Sequence, residues 1–285
     1  MARRAVALVL LVGFLGLAVW LATVAVGSIR ETPEQPAQPP VAAPRPLKII
    51  FPEGFTRAQM AERIREVNRI ARERRKVNPR LSAAAYTRAT ASSKIPGMFA
   101  GDGERRSLEG FLFPSTYEFE PQTTSRQLVN RQLESFERNW AQVNLRYARS
   151  RNLTPYDVLI IASLVEKEVI APEERGLVAA VIYNRLRAGM NLGIDATTRY
   201  GLNVPGTEPL RQSHLRSDNP YNTRNPDIHG LPPTPIANPG LASMQAAAHP
   251  ANVDYLFFVR KPDKVHHFFT ASAQEFENYK NTNYR

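Results

Sequence analysis

The chain has 285 residues, of which 43% are hydrophobic, a formal net charge of +11 and no cysteine. This length and apolar content suffice for one large or two modest domains with hydrophobic cores. The absence of cysteine excludes disulfides and thiolate chemistry. The positive charge favours an anionic partner or surface but indicates no fold.

The first residues predict a membrane anchor. Two arginines, Arg3 and Arg4, precede an uninterrupted apolar run over residues 5–27. At about 1.5 Å per residue in a helix, this run spans a hydrocarbon core of roughly 30 Å. The arginines predict a cytoplasmic tail, residues 1–4, with the rest of the chain outside the membrane. A cleaved signal peptide is the alternative, although its apolar region would be shorter, about 7–15 residues.

A proline-rich segment follows the apolar run. Residues 28–46 contain six prolines and few apolar residues, so they cannot bury a core. This composition predicts an extended, semi-rigid linker between the anchor and the folded part.

The next elements predict a small α+β unit. Leu47 to Phe51 is a short β-like run, and Thr56 can cap a helix with an apolar stripe. The other face of that helix is rich in arginine, either as a solvated surface or for contact with anionic lipid or polymer. A second helix is predicted over Leu81 to Ala91.

Further elements follow in chain order. Strand pieces are predicted at Phe111 to Pro114 and Thr116 to Phe119, and a long amphipathic helix at Leu128 to Arg149. The helix that begins with Thr154 and Pro155 is apolar on nearly all sides and should be central and buried. The remaining predicted elements are a helix from Pro172 to Gly189, a proline-rich loop region over 201–240, a helix at Ser243 to Ala248, strands at Tyr255 to Val259 and His267 to Thr270, and a helix at Glu275 to Asn283.

Most familiar catalytic motifs are absent from the sequence. No histidine pair has metal-binding spacing, and no phosphate-binding loop, dinucleotide fingerprint or serine nucleophile elbow is present. The basic charge lacks the interleaved aromatic residues of a nucleic-acid platform. We therefore expect no metal, no cofactor and no nucleic-acid partner.

Carboxylates remain as candidates for chemistry. Glu166 and Glu168 end the buried helix, two residues apart, so they point about 200° apart and only one can face the interior. We predict that Glu166 faces inward, where desolvation would suit it to general acid catalysis, and that Glu168 is solvated. The alternative for Glu166 is a structural salt bridge. Asp195 is either a second catalytic carboxylate or a turn or cap residue that binds backbone amides.

Five sequence blocks, taken in order and spacing, resemble the endolytic murein transglycosylases, the YceG-like family. The resemblance covers about Leu47 to Tyr279. The blocks are Leu108 to Tyr117, Ala162 to Glu168, Val181 to Leu186, Tyr221-Asn222-Thr223 with Gly230 to Gly240, and Ala246 to Pro250. Departures from the family pattern stand at Ser115, Ala196 and Phe276.

The resemblance implies an α+β fold with an N-terminal transmembrane helix, a small LysM-like module over 47–107 and a larger mixed α/β catalytic domain over 108–285. It implies cleavage within peptidoglycan glycan strands to leave 1,6-anhydro-N-acetylmuramyl ends, beside newly made strands and cell-wall synthases at the cell membrane. It places the catalytic glutamate at Glu166. The residues expected to shape the sugar cleft are Glu109, Asn184, Asp195, Tyr221, Asn222 and Thr223.

The expected mechanism needs one carboxyl group, because an intramolecular hydroxyl replaces water as the nucleophile. Two alternatives remain. A muramidase-type hydrolase would use Glu166 together with Asp195 across a cleft, whereas a non-catalytic peptidoglycan-binding scaffold would recruit synthases and need neither carboxylate.

Overall fold

The structure, a computed structural model, describes residues 46–102 and 105–284. The predicted tail 1–4, the span 5–27 and the linker up to residue 45 lie outside the described residues. Within the described ranges, no helix is both long enough and apolar enough to cross a bilayer. From Pro46 onward the chain forms one compact unit.

This unit combines helices with short strands. In chain order the elements are β1 (Leu47–Ile50), α1 (Arg57–Arg75), α2 (Ala83–Ala91), β2 (Ser93–Lys94), a 3₁₀ helix (Gly97–Asp102), β3 (Arg105–Arg106), β4 (Thr116–Phe119), α3 (Ser125–Trp140), α4 (Arg146–Ser150), α5 (Pro155–Glu168), a 3₁₀ helix (Pro172–Glu174), α6 (Arg175–Arg187), α7 (Asp195–Leu202), α8 (Gln212–Leu215), α9 (Leu241–Ala248), β5 (Phe257–Arg260), β6 (His267–Thr270) and α10 (Ala273–Asn283).

The strands form three two-stranded antiparallel sheets in the described ranges: β1 with β4, β2 with β3, and β5 with β6. The α+β fold is therefore confirmed, with every described strand pair antiparallel rather than in the mixed α/β arrangement expected for the larger domain. In the first sheet Leu47 lies opposite Phe119. Since β4 lies beyond residue 107, this pairing crosses the expected boundary between the regions 47–107 and 108–285. The division of the chain at that boundary stays a prediction.

Side-chain caps mark the starts of the first two helices, and the sequence predicted the one at Thr56. The hydroxyl of Thr56 accepts from the N–H of Gln59, whose side chain accepts in return from the N–H of Thr56. Ser82 caps α2 through the N–H of Ala85. These local hydrogen bonds satisfy orphan donors at each helix start, so the sequence alone locates them.

Two element predictions are wrong. Phe111 to Pro114 forms a buried turn and not a strand, because the side chain of Asn238 accepts from the N–H groups of Gly110 and Leu112 in place of a neighbouring strand. The helix predicted over 128–149 is two helices, α3 and α4. Asn144 accepts from the N–H of Arg146 and so gives α4 its own start.

The buried core surrounds α5. As predicted, this helix is apolar all round: its residues from Val158 to Val165 are all buried. It packs against α6 and α9, and the rings of Phe99, Phe111, Phe136 and Trp140 form an aromatic cluster near its first turn. A central helix enclosed in this way projects its C-terminal residues toward the surrounding loops, where the candidate site lies.

The last third of the chain supplies the loops around that end of α5. The hairpin β5–β6 is confirmed, with Arg260 opposite His267. Helix α7 was not predicted, although Asp195, which the sequence indicates as a turn or cap residue, is its first residue. Its N-cap, Ile194, makes no side-chain capping bond, so no local signal marks the start.

Candidate active site

A cavity of about 1150 Å³ opens beside the C-terminal end of α5. Its wall combines the first turn of α1, the last residues of α5, helix α7 with the loop that follows, the segment around Tyr221, strand β5 and helix α10. Small-molecule sites typically measure about 300–1,000 Å³. The cavity is therefore large enough for a ligand of more than one ring.

One of the carboxylates on this wall is that of Glu168, the last residue of α5. Glu168 is partly buried, and no donor in the described ranges makes a hydrogen bond to its carboxyl oxygens. Burial raises its pKa to about 7, and the negative charge of Asp195 adds to the rise, whereas Arg260 and Arg224 lower it. The C-terminal end of a helix dipole also disfavours a negative charge.

Glu166 occupies the other side of the helix. Its Oε2 accepts a hydrogen bond from the N–H of Gly240 at 3.1 Å, at the residue that precedes α9. A carboxylate at a helix N-terminus is stabilising, since it meets unpaired N–H groups and the positive end of the dipole. The neighbouring Glu53 has a raised pKa, first because protein atoms partly exclude water from its carboxyl and then because of the charge on Glu166.

Glu166 and Glu168 therefore do not share a site, and both side chains are half-buried, so Glu168 is not the solvated residue that the sequence predicted. Glu168 lines the cavity, and Glu166 joins α5 to α9. The helical pattern could not separate them, because α5 is surrounded on every side. The fold around its last turn decides which carboxyl meets the cavity.

Glu109 is the second carboxyl with a strongly raised pKa. It is 2% exposed and lies at the edge of the cavity. Its oxygens accept from the N–H of Arg57 at 3.0 Å, the amide of Asn238 at 2.9 Å and the hydroxyl of Tyr200 at 3.1 Å. Burial raises its pKa to about 7. With its oxygens engaged by protein donors, Glu109 holds three segments together.

Asp195 lies on the cavity wall, at the first residue of α7. Its Oδ1 forms an ion pair with Nε of Arg224, and both side chains are about half exposed. The sequence left open whether Asp195 faces a catalytic carboxylate or binds loop backbone. In the structure it lies close enough to Glu168 to affect its pKa and is held by an arginine side chain.

Tyr221 also lines the cavity. Its ring lies 5.2 Å from that of Tyr200, and its hydroxyl is 2.8 Å from that of Thr234. The pair presents aromatic surface of the kind that sugar rings pack against, and the expected contact of Tyr221 with a sugar stays a prediction. Tyr200 was not singled out from the sequence, because α7 was not predicted.

The other three expected cleft residues are buried and engaged with protein. Asn184 donates to the carbonyls of Val253 and Tyr255. Asn222 donates to three loop carbonyls and accepts from the Thr198 hydroxyl, and Thr223 bonds to Ile194 and Thr197. None of the three lies on the cavity wall. Their polar side chains satisfy the backbone of the loops that frame it.

A buried Glu–His pair supports strand β6 at the cavity. Glu174 accepts from the backbone N–H of His267 at 2.9 Å and lies 2.6 Å from its ring Nδ1. Both side chains are almost fully buried. On the paired strand, Arg260 donates to the carbonyl of Glu168 at 2.7 Å, which ties the hairpin to the end of α5. Sequence reasoning missed these residues, since they lie far apart along the chain.

Comparison with known proteins decides the family. The model of the YceG-like family matches residues 29–282. The chain belongs to the YceG-like family. This YceG-like chain is 34% identical, over 55% of its length, to an endolytic murein transglycosylase of Bacillus subtilis, and 30% identical, over 79% of its length, to one of Streptococcus pneumoniae. It spans less than half of each relative, 43% and 42% respectively.

The fold also matches a solved structure. The crystal structure of a yceG-like protein from Listeria monocytogenes aligns with a TM-score of 0.65 and 28% sequence identity. The match covers 82% of this chain and 76% of that one. The family resemblance found in the sequence is thus confirmed at the level of sequence and fold.

Proposed function

We propose that this YceG-like protein is a membrane-anchored endolytic lytic transglycosylase of peptidoglycan, with Glu168 as general acid and then base. The observation that carries the proposal is the carboxyl of Glu168, which has a raised pKa and lies on the wall of a large cavity. The names of the Bacillus and Streptococcus relatives support the substrate and reaction class. The apolar run over 5–27 supports the anchor and an extracytoplasmic position.

The chemistry begins with Glu168 in its neutral form. It protonates O4 of N-acetylglucosamine as the bond from that oxygen to C1 of N-acetylmuramic acid breaks. The carboxylate that results takes the proton from the muramyl 6-hydroxyl as O6 attacks C1. The products are a free 4-hydroxyl and a 1,6-anhydro ring. No water is consumed, and Glu168 ends in the form in which it began.

The pKa of about 7 suits this double task. A carboxyl of ordinary pKa, about 4.3, would be almost fully ionised at neutral pH and a poor acid. One with a much higher pKa would be a poor proton donor. A group that titrates near the working pH serves well in both steps. Arg260 contributes by holding the backbone of Glu168 in place.

A muramidase-type hydrolase is the second candidate, because Asp195 lies on the same cavity wall as Glu168. A hydrolase needs a second carboxylate to act as nucleophile or to activate water. In this structure Asp195 is paired with Arg224, and such a pairing weakens a carboxylate as a base. We therefore favour the lytic reaction. A scaffold that binds peptidoglycan and recruits synthases, with a LysM-like module over 47–107, is the non-enzymatic alternative.

The test is digestion of purified peptidoglycan by the full chain in detergent, with products identified by mass spectrometry. Glu168→Gln is the decisive variant, and Glu166→Gln is its matched control two residues away. The glutamine oxygen at 166 can still accept from Gly240, so this control should fold and stay active. We expect anhydro-muramyl ends from the wild type and from Glu166→Gln, and none from Glu168→Gln.

Other outcomes point elsewhere. Loss of activity in Glu166→Gln alone would restore the role first expected for Glu166. Reducing ends in place of anhydro ends would identify a hydrolase and direct attention to Asp195. Peptidoglycan that is bound by all three proteins and cleaved by none would favour the scaffold.

A further inference from the structure

Basic side chains are prominent on the cavity wall, and all but one are bonded to neutral oxygens of the protein. Among the described residues, the lining cations are Arg57, Lys167, Arg185, Arg199, Arg224 and Arg260. Arg57 donates to the hydroxyl of Thr90, and the others except Arg224 donate to backbone carbonyls. These five cations help to hold the wall together.

Arg224 differs from the other five. Its Nε is paired with Oδ1 of Asp195, while Nη1 and Nη2 make no hydrogen bond within the described ranges. The side chain of Arg224 is 43% exposed. Two parallel N–H donors on Nη1 and Nη2 are the arrangement that binds a carboxylate in bidentate fashion. Because Asp195 engages the Nε edge, the outer edge remains available.

We propose that Arg224, oriented by Asp195, binds a carboxylate of the substrate and makes the cavity selective for anionic glycan strands. This inference rests on the proposed function and names a specificity residue within the same site. The ligand is a carboxylate carried on an N-acetylmuramyl unit. It comes from the 3-O-lactyl group of strands that lack peptides, or from the stem peptide of strands that retain them.

The position of Arg224 gives this binding a consequence for the reaction. Arg224 is one of the cations that lower the pKa of Glu168. A substrate carboxylate seated on Arg224 would offset its positive charge and favour the protonated form of Glu168. The acid would then be best prepared when an anionic strand is in place.

The alternative is that Arg224 and Asp195 form an ordinary surface ion pair, of the kind that contributes little to stability or binding. Three substrates separate the two cases: glycan strands with stem peptides, strands from which an amidase has removed the peptides, and the stripped strands after their lactyl carboxylates are converted to methylamides. In the third substrate a neutral methylamide replaces the carboxylate of the second, so the negative charge is removed.

The variants are Arg224→Gln, Arg224→Lys and, as a matched control, Arg216→Gln. Arg216 is an exposed arginine eight residues away that does not line the cavity. We expect Arg224→Gln to raise KM for a carboxylate-bearing strand roughly tenfold, the scale of one charge-assisted hydrogen-bond pair, with kcat changed much less. Arg224→Lys should recover part of the loss, and Arg216→Gln should match the wild type.

The pattern across substrates identifies the carboxylate. If Arg224→Gln raises KM for stripped strands but not for the methylamidated strands, the lactyl carboxylate is the ligand. If KM rises only for strands that retain peptides, the ligand is a carboxylate of the stem peptide. An equal rise in KM for all three substrates, or no rise for any of them, would overturn the proposal.

Binding of fluorescently labelled strands in the Glu168→Gln background, with and without Arg224→Gln, is measured separately. If no protein cleaves any strand, the proposed function fails, and this binding comparison still decides the role of Arg224. The same affinity in both proteins for all three strands would refute that role.

Discussion

The carboxyl of Glu109 accepts a hydrogen bond from the side-chain amide of Asn238 at 2.9 Å, in the buried wall of the cavity. Asn238 donates in the same way to the carbonyl of Phe55, and its oxygen accepts from the N–H groups of Gly110 and Leu112. One amide thus uses its full hydrogen-bonding capacity. It joins the start of α1, the turn after residue 107 and the loop before α9.

Burial of Glu109 predicts a stability that depends on pH. Its pKa in the folded protein is about 7, above the value of about 4.3 in an unfolded chain. Its contribution is therefore complete below about pH 4 and is lost as the pH rises to about 7. Relative to Glu109→Gln, the wild type should lose about 3 kcal/mol of unfolding free energy between pH 4.5 and 7.5. Urea denaturation at several pH values measures this difference.

The exposed Glu118, paired with Lys48 on the neighbouring strand, provides a control for this measurement. Glu118→Gln should follow the wild-type dependence throughout the same range. If the difference in unfolding free energy between the wild type and Glu109→Gln stays the same at every pH, Glu109 has an ordinary pKa in the folded protein.

The pH dependence of cleavage should report on Glu168. In the proposed reaction the first step needs the protonated form of Glu168, so kcat/KM should fall as the pH rises above about 7. The negative charge of Asp195 raises the pKa of Glu168, so Asp195→Asn should move this decline to lower pH. Release of soluble muropeptides from pH 5 to 9 provides the measurement.

The exposed Asp227, which does not line the cavity, serves as the charge-matched control, and Asp227→Asn should leave the profile in place. If kcat/KM falls at the same pH in Asp195→Asn as in the wild type, the charge of Asp195 does not affect the pKa of Glu168. Complete loss of activity in Asp195→Asn would instead support the hydrolase.

Gly110 should not tolerate a side chain. Its φ is +91°, and an added Cβ would lie 2.6 Å from Cγ of Pro235. Gly189, with φ +65° and no atom within 4 Å of an added Cβ, isolates the cost of the backbone conformation. We expect Gly189→Ala to lower the free energy of unfolding by about 1 kcal/mol. Gly110→Ala should lower it by roughly 2 kcal/mol more, because the added methyl group overpacks against Pro235. Thermal or urea unfolding of the two variants measures these changes. Equal destabilisation of both variants would show that Pro235 moves aside at little energetic cost.

Elements with local signals could be predicted from the sequence. The starts of α1 and α5 were located because Thr56 and Thr154 satisfy nearby backbone donors within the same few residues. Helix α7 and the turn at Phe111 were not predicted. The first has no capping side chain at Ile194, and the second is stabilised by Asn238, more than 120 residues away.

The candidate site shows the same division. The sequence singled out Glu109, Asp195 and Tyr221, and all three lie on the cavity wall. Polar residues at the other expected positions, such as Asn222, are instead buried in loop hydrogen bonds. Residue type indicates the ability to bind a sugar or a carbonyl alike. The partner depends on which group the fold brings near.

By itself the sequence indicated the family, through the order and spacing of five motifs along the chain. It also determined the central buried helix and the two carboxyls at the end of that helix, since these depend on composition and on spacing along one element. Only the tertiary structure decided that Glu168 meets the cavity and Glu166 meets the N-terminus of α9. The two side chains have the same chemistry and comparable helical neighbours. They differ in the segments that the rest of the chain packs against each side of α5, and those contacts are absent from the helix's own sequence.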